Sequence, residues 1–197
     1  MKIIVDGRPI REPISGVADT VINLALNAQN IPDIDINIFL QSDVNKNMVI
    51  DKFDFKNKII ENYPKLISNF LYEYGINSPL INYNNSIIHE TYFARIPVNR
   101  KNNKLISTIH DVIPLDFPNW FSKRNAYFSK KNFHRQMEES DVVIFPSKYT
   151  SQRSQDIFGK SIQNEVIPWA VSNKIRSKFN TYNPDIKNPF FLMIGNI

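Results

Sequence analysis

Short apolar runs rich in Ile and Val recur along this chain, and each is bounded by Gly, Pro or polar residues. "KIIVDG" (Lys2 to Gly7), "DINIFL" (Asp35 to Leu40), "SIIH" (Ser86 to His89), "KLISTI" (Lys104 to Ile109), "DVVIFP" (Asp141 to Pro146) and "NEVIP" (Asn164 to Pro168) are the clearest. Runs of this length between turn residues predict strands rather than helices. Helical patterns separate them. From Gly16 onward, Val17, Val21, Leu24, Ala25 and Ala28 share one helical face. "PKLISNFLYEYG" opens with Pro64 and closes at Gly75, as a helix does. Residues 122 to 139 predict a long, polar, basic helix carrying Tyr127, Phe128, Phe133 and Met137. Ser147 is placed to cap a helix that runs to Phe158, with Gly159 just past its end. Residues 42 to 62 show no clear period.

Strands alternating with helices define an α/β domain: a Rossmann-like, mostly parallel sheet flanked by helices, with right-handed crossovers. Such sheets bind ligands at the carboxyl ends of their strands. By that rule the segment Gly7 to Gly16, the pair His89-Glu90, the pair His110-Asp111 and the pair Pro146-Ser147 fall on one edge.

Composition narrows the class. A chain of 197 residues is long enough to bury a core. No apolar run reaches the ~20 residues of a membrane span. The start, "MKIIVDGRPI", meets Asp6 and Arg8 too early for a signal peptide. There is no cysteine, hence no disulfide framework and no thiolate metal site. These features favour the cytoplasm. The formal charge of +5 favours anionic partners. Lys123, Arg124, Lys130, Lys131 and Arg135 crowd the basic helix, which suits a solvated face or contact with an anionic membrane surface. No helix-turn-helix, RRM or zinc-finger pattern supports nucleic-acid binding.

Two stretches carry candidate chemistry. In "DGRPIREPISGVADTVINL" a strand, a loop and a helix follow one another, with Gly16 in the first helical turn. A glycine there lets a phosphate approach free backbone N–H groups, or it simply serves the turn. In "STIHDVIPLDFPNWFS" the strand ends on His110 and Asp111, and two prolines follow. That pair is a satisfied turn, a metal pair or a catalytic pair. Metal is the least favoured, because the three histidines are far apart in sequence. A strand-end histidine can bond a sugar hydroxyl or a phosphate. In "IIHETYFARIP" His89, Tyr92 and Phe93 stand at another strand end, as stacking surfaces for a sugar or as core.

Taken in order, "IIVDGRPI", "SGVADTVINLA", "IIHETYFARIP", "STIHDVIPLDFPNWFS", "ESDVVIFPSKYTSQRSQDIFG" and "EVIPWAV" resemble the N-terminal half of retaining glycosyltransferases of family 4, which have the GT-B architecture. The resemblance implies a domain over 1–188, including a linker from about 172. It implies that "PFFLMIGNI", 189–197, starts a second, donor-binding domain. It also implies roles. Gly16, with Val17 beside it, matches the loop near the donor diphosphate. His110 matches the histidine that contacts the donor sugar, and Asp111 its neighbour. His89 and Tyr92 would border the acceptor side. The donor would be a nucleotide-diphosphate sugar, the acceptor a surface glycan or a lipid-linked sugar, and neither metal nor other cofactor is expected. A chain of this extent would be inactive alone, and the whole protein would work in the cytoplasm, peripherally at the inner face of the plasma membrane. Two other readings stay open: a GT-B nucleotide-sugar epimerase, and a non-catalytic domain that binds a glycan or a partner. The chain departs from the family pattern in having Asp19 and Thr20 after the loop glycine, and "IPWAV", with Trp169 and Ala170, in place of "IPNGV".

Overall fold

The apolar runs become strands in the order in which they occur. The computed structural model describes residues 1–11, 14–41, 53–61, 65–76 and 78–170. The elements are β1 (Lys2–Asp6), α1 (Gly16–Ala28), β2 (Asp35–Gln41), β3 (Lys58–Glu61), α2 (Lys65–Glu73), β4 (Ser86–Glu90), β5 (Lys104–Thr108), α3 (Ile113–Asp116), α4 (Lys123–Glu139), β6 (Val142–Phe145), α5 (Lys148–Phe158) and β7 (Asn164–Val166). The strands form one seven-stranded sheet, every pair parallel, in the order β3-β2-β1-β4-β5-β6-β7. The fold is therefore α/β and Rossmann-like. The chain winds outward from β1 in one direction through β2 and β3. It then returns to β4 on the other side of β1. That reversal opens a crevice at the carboxyl ends of β1 and β4.

Three serines start the longer helices, Ser147 as expected from the sequence. Ser15 accepts from the Ala18 amide, Ser122 from that of Asn125, and Ser147 from that of Thr150. Gly159 ends α5 in the left-handed conformation.

The core lies on both faces of the sheet. On one face α1 packs Ala18, Val21, Ile22 and Ala25 onto Val5, Ile36, Ile38 and Leu40. On another, Ile4, Phe39, Tyr72, Leu80, Ile88 and Leu105 pack together. Beneath α4, Phe133 and Met137 meet Ile109, Val143 and Phe145.

Three expectations change. The buried stripe of α1 is rotated from the anticipated one: Ala18 and Ile22 are buried, whereas Leu24 is exposed at the rim of a cavity. The unassigned region contains β3. The proline-rich exit from β5 is a short helix, α3, followed by a single turn at Pro118–Trp120, because proline is tolerated in the first turn of a helix. The predicted linker from 172, the boundary at 188 and the strand over 189–197 lie outside the described residues.

Gly7 lies tightly against β2. A Cβ there would come 2.7 Å from Ile38, 2.8 Å from Leu40 and 2.9 Å from the Phe39 carbonyl oxygen. Gly7→Ala should cost about 1–3 kcal/mol through overpacking. Urea denaturation would measure this, and an unchanged midpoint would show that β2 yields without strain.

Candidate functional site

Two cavities open at the carboxyl edge of the sheet. The smaller, about 110 Å³, is lined by Thr20, Val21 and Leu24 of α1, by His89, Thr91, Thr108, His110 and Ile144 at the strand ends, and by Ile167 and Trp169. Strand alternation builds it. His89 in β4 and Thr91 just past it sit two apart, as do Thr108 at the end of β5 and His110 beyond it, so all four face α1. They bond crosswise. His89 Nε2 lies 2.7 Å from Thr108 Oγ1, and His110 Nε2 lies 2.7 Å from the Thr91 carbonyl oxygen. A carbonyl can only accept, so His110 carries its proton on Nε2 and presents Nδ1 as an acceptor. The Trp169 ring stands 5.3 Å from that of His110.

The cavity keeps both imidazoles neutral near pH 7. Burial, and then the neighbouring His110, hold His89 down at about 4, below its usual 6.5. Burial also lowers His110, against the opposing effects of the Thr91 carbonyl and Asp111.

The larger cleft, about 1080 Å³, lies over the start of the β1–α1 loop, between α2 and α4. Its floor is an ion pair. Arg8 Nε and Nη2 donate to the two oxygens of Asp6, each at 2.8 Å, with the two side chains 1% and 0% exposed. Arg8 also donates to the carbonyls of Ala94 and Arg95. Its guanidinium carbon lies 5.2 Å from the Tyr92 ring centre, 5.6 Å from that of Tyr72 and 6.0 Å from that of Phe39. Burial alone would lower the pKa of Arg8. Asp6, Tyr92 and Glu90 outweigh that, so the guanidinium stays charged. Burial raises the Tyr92 phenol to about 12.

A second buried carboxylate ties α4 to β4. Glu90 accepts from the Ile96 amide, from Arg135 at 2.6 Å and from Gln136. Glu73 at the end of α2 takes Lys131 and Asn132.

The predicted residues therefore divide. His110 and His89 come together in one cavity, whereas Tyr92 lies in the other. His89 and Tyr92 are three apart along extended chain, which sends them to opposite faces. Val17 lines the larger cleft; Gly16 opens α1 and lines neither cavity, and a Cβ there would meet nothing within 4 Å. Asp111 is exposed and accepts from the Ile113 amide, a turn role. The basic cluster is not one face. Lys123 and Lys130 are exposed, Arg124 and Lys131 line the larger cleft, and Arg135, at 10% side-chain exposure, points inward to Glu90. Asp19 lines neither cavity, while Thr20 lines the smaller one. Among the described residues no three His, Cys, Asp or Glu side chains are grouped to hold a metal ion, and no helix is long and apolar enough to cross a membrane.

Glu90 and the segment holding Arg8 were expected at this edge without a role, whereas Thr91 and Thr108 were not singled out. Signals for them exist in the sequence. "DGR" places opposite charges two apart after a buried strand, and "HET" and "TIH" place His and Thr two apart at neighbouring strand ends. What was missing was the pairing of β4 with β5.

No protein-family model matches the chain, and no curated protein does. Among solved structures it is similar to the N-terminal domain of Candida albicans trehalose-6-phosphate phosphatase, at 10% identity and a TM-score of 0.44. The match covers 93% of this chain and 51% of that one, so the chain spans about half the length of that structure. At this level of likeness nothing passes from that protein to this chain.

The depressed His89 predicts a pH dependence. The unfolded chain takes up a proton near pH 6.5, and the folded one only near 4. The stability contributed by neutral His89 is complete above about pH 6.5 and is lost as the pH falls toward 4. Between about pH 7.5 and about pH 4.5 the wild type should lose about 2–3 kcal/mol more than His89→Gln in urea unfolding. Equal losses would mean that His89 titrates normally in the fold.

Proposed function

We propose that the chain is the acceptor-side domain of a metal-independent, retaining glycosyltransferase of the GT-B type. It would move a hexose from a nucleotide-diphosphate sugar to a glycan or lipid-linked acceptor. The observation that carries this reading is His110. It lies two residues past the end of β5 with its tautomer pinned by the Thr91 carbonyl, so that Nδ1 is a neutral acceptor across a small cavity from α1. A hydroxyl of the donor sugar could donate to it. Gly16 supports the reading too. Packing within the chain makes no demand for glycine there, and its absent side chain leaves the start of α1 bare for a diphosphate.

In this reading the protein positions groups and supplies charge complementarity, and no side chain here serves as a general base. The departing phosphate would itself take the acceptor proton. A donor-binding domain beyond the described residues would supply the remaining nucleotide contacts. Asp111 would act on the site only through the turn it holds.

The test is nucleotide release by the full-length protein from UDP-, GDP-, ADP- and dTDP-hexoses. At least one donor should be turned over, with retained anomeric configuration by NMR. His110→Ala should reduce the rate by about 100-fold or more, with an unchanged circular dichroism spectrum. No turnover of any donor, or full activity in His110→Ala, would remove the proposal.

Contact with an anionic membrane surface belongs to the same reading, carried by the exposed Lys123 and Lys130. Vesicles containing phosphatidylglycerol should sediment the protein, and Lys123→Glu with Lys130→Glu should abolish this. Equal sedimentation with neutral vesicles would refute the membrane contact.

A further inference from the structure

The larger cleft is cationic in a way the ion pairs do not exhaust. Arg8, Arg11, Arg95, Arg124 and Lys131 all line it, against a single lining carboxylate, Glu73. Two of the five charges are met inside the fold: Arg8 by Asp6, and Lys131 by Glu73. Among the described residues, Arg11, Arg95 and Arg124 have no carboxylate partner. They come from three places: the loop after β1, the loop after β4 and the first turn of α4. Three guanidiniums that no described carboxylate neutralises, converging on one cleft, form a receptor for carboxylate or phosphate groups, which guanidinium binds in a fork.

The cleft also carries ring surfaces. Phe70 and Tyr74 stand together at 4.9 Å between ring centres, 62% and 65% exposed, and Tyr127 is 64% exposed. Exposed rings beside arginines suit the faces of sugar rings, whose C–H groups are apolar and whose edges are polar. Tyr72 lines the cleft with its hydroxyl buried and, among the described residues, without a hydrogen-bond partner. The volume, about 1080 Å³, is that of a bounded small-molecule site rather than of a groove that tracks a long strand.

We infer that this cleft takes an acidic saccharide, a short sugar chain bearing carboxylate or phosphate groups, and that this is the acceptor of the proposed transfer. The inference rests on that transferase reading only for the word acceptor. The binding itself does not require it. Arg95 and Arg124 would hold the acid groups, and the Phe70–Tyr74 pair would support a ring face.

Calorimetric titration of the full-length protein with tetragalacturonate and a hyaluronan tetrasaccharide tests this, beside neutral maltotetraose, UDP and an oligothymidylate. At least one acidic tetrasaccharide should bind at least tenfold more tightly than maltotetraose. Arg95→Gln with Arg124→Gln should weaken it tenfold or more, and added salt should weaken it as well. Saturating UDP should leave it unchanged. The proposal falls if neither acidic tetrasaccharide binds, if maltotetraose binds equally, if UDP displaces the sugar or if the oligothymidylate binds more tightly. It also falls if a folded arginine variant, judged by circular dichroism, binds as well as wild type. Should the acidic sugar bind while no donor is turned over, the transferase reading fails and the saccharide site stands.

Discussion

The buried pair of Asp6 and Arg8 constrains everything around it. Two charges taken out of water carry a heavy desolvation penalty, and only full satisfaction of both groups offsets it. The structure meets that demand with a two-point fork, two main-chain carbonyls and three aromatic rings. Those partners come from β1, β2, α2 and the loop after β4. Each must sit within narrow limits, so the pair fixes how the switch point of the sheet is assembled. A pair of apolar side chains could fill the same space at similar stability. It could not hold a guanidinium under the larger cleft.

The rest of the site follows from sheet geometry. A parallel sheet that reverses its winding at β1 leaves the strand ends of β1, β4 and β5 side by side. Alternation along β4 then sorts the chemistry. His89 and Thr91 go to the face beneath α1, and Glu90 goes to the face beneath α4. One strand thereby serves a neutral, apolar cavity and a charged anchor for a helix.

Most of the architecture was legible in the sequence. Most strands, the Ser147 cap and the terminating glycine of α5 depend on local signals a few residues long, and such signals survive without knowledge of neighbours. The site was legible in part. His110 could be placed at the ligand edge, because that follows from one strand and the rule for open sheets. Its partner could not. Whether His89 faces His110 or Tyr92 depends on the register of β4 against β5, which no local pattern encodes. The basic helix shows the same limit. Arg135 looks like its neighbours in sequence, and only the buried Glu90 opposite reveals that it turns inward. The region around β3 carried too little period to assign, and the tail from residue 171 lies outside the described structure.

Thr91 joins the two cavities. Its hydroxyl donates to the carbonyl of Asp6, at 2.7 Å, and its own carbonyl receives His110. One residue therefore sets the height of the ion pair's strand on one side and the orientation of a histidine on the other. The two sites cannot drift apart in evolution. A substitution that moves the main chain at position 91 is felt in both at once, so changes in one cavity would be accepted only with compensating changes in the other. Epistasis between distant-looking positions, such as 8 and 110, is the expected genetic signature of that shared joint.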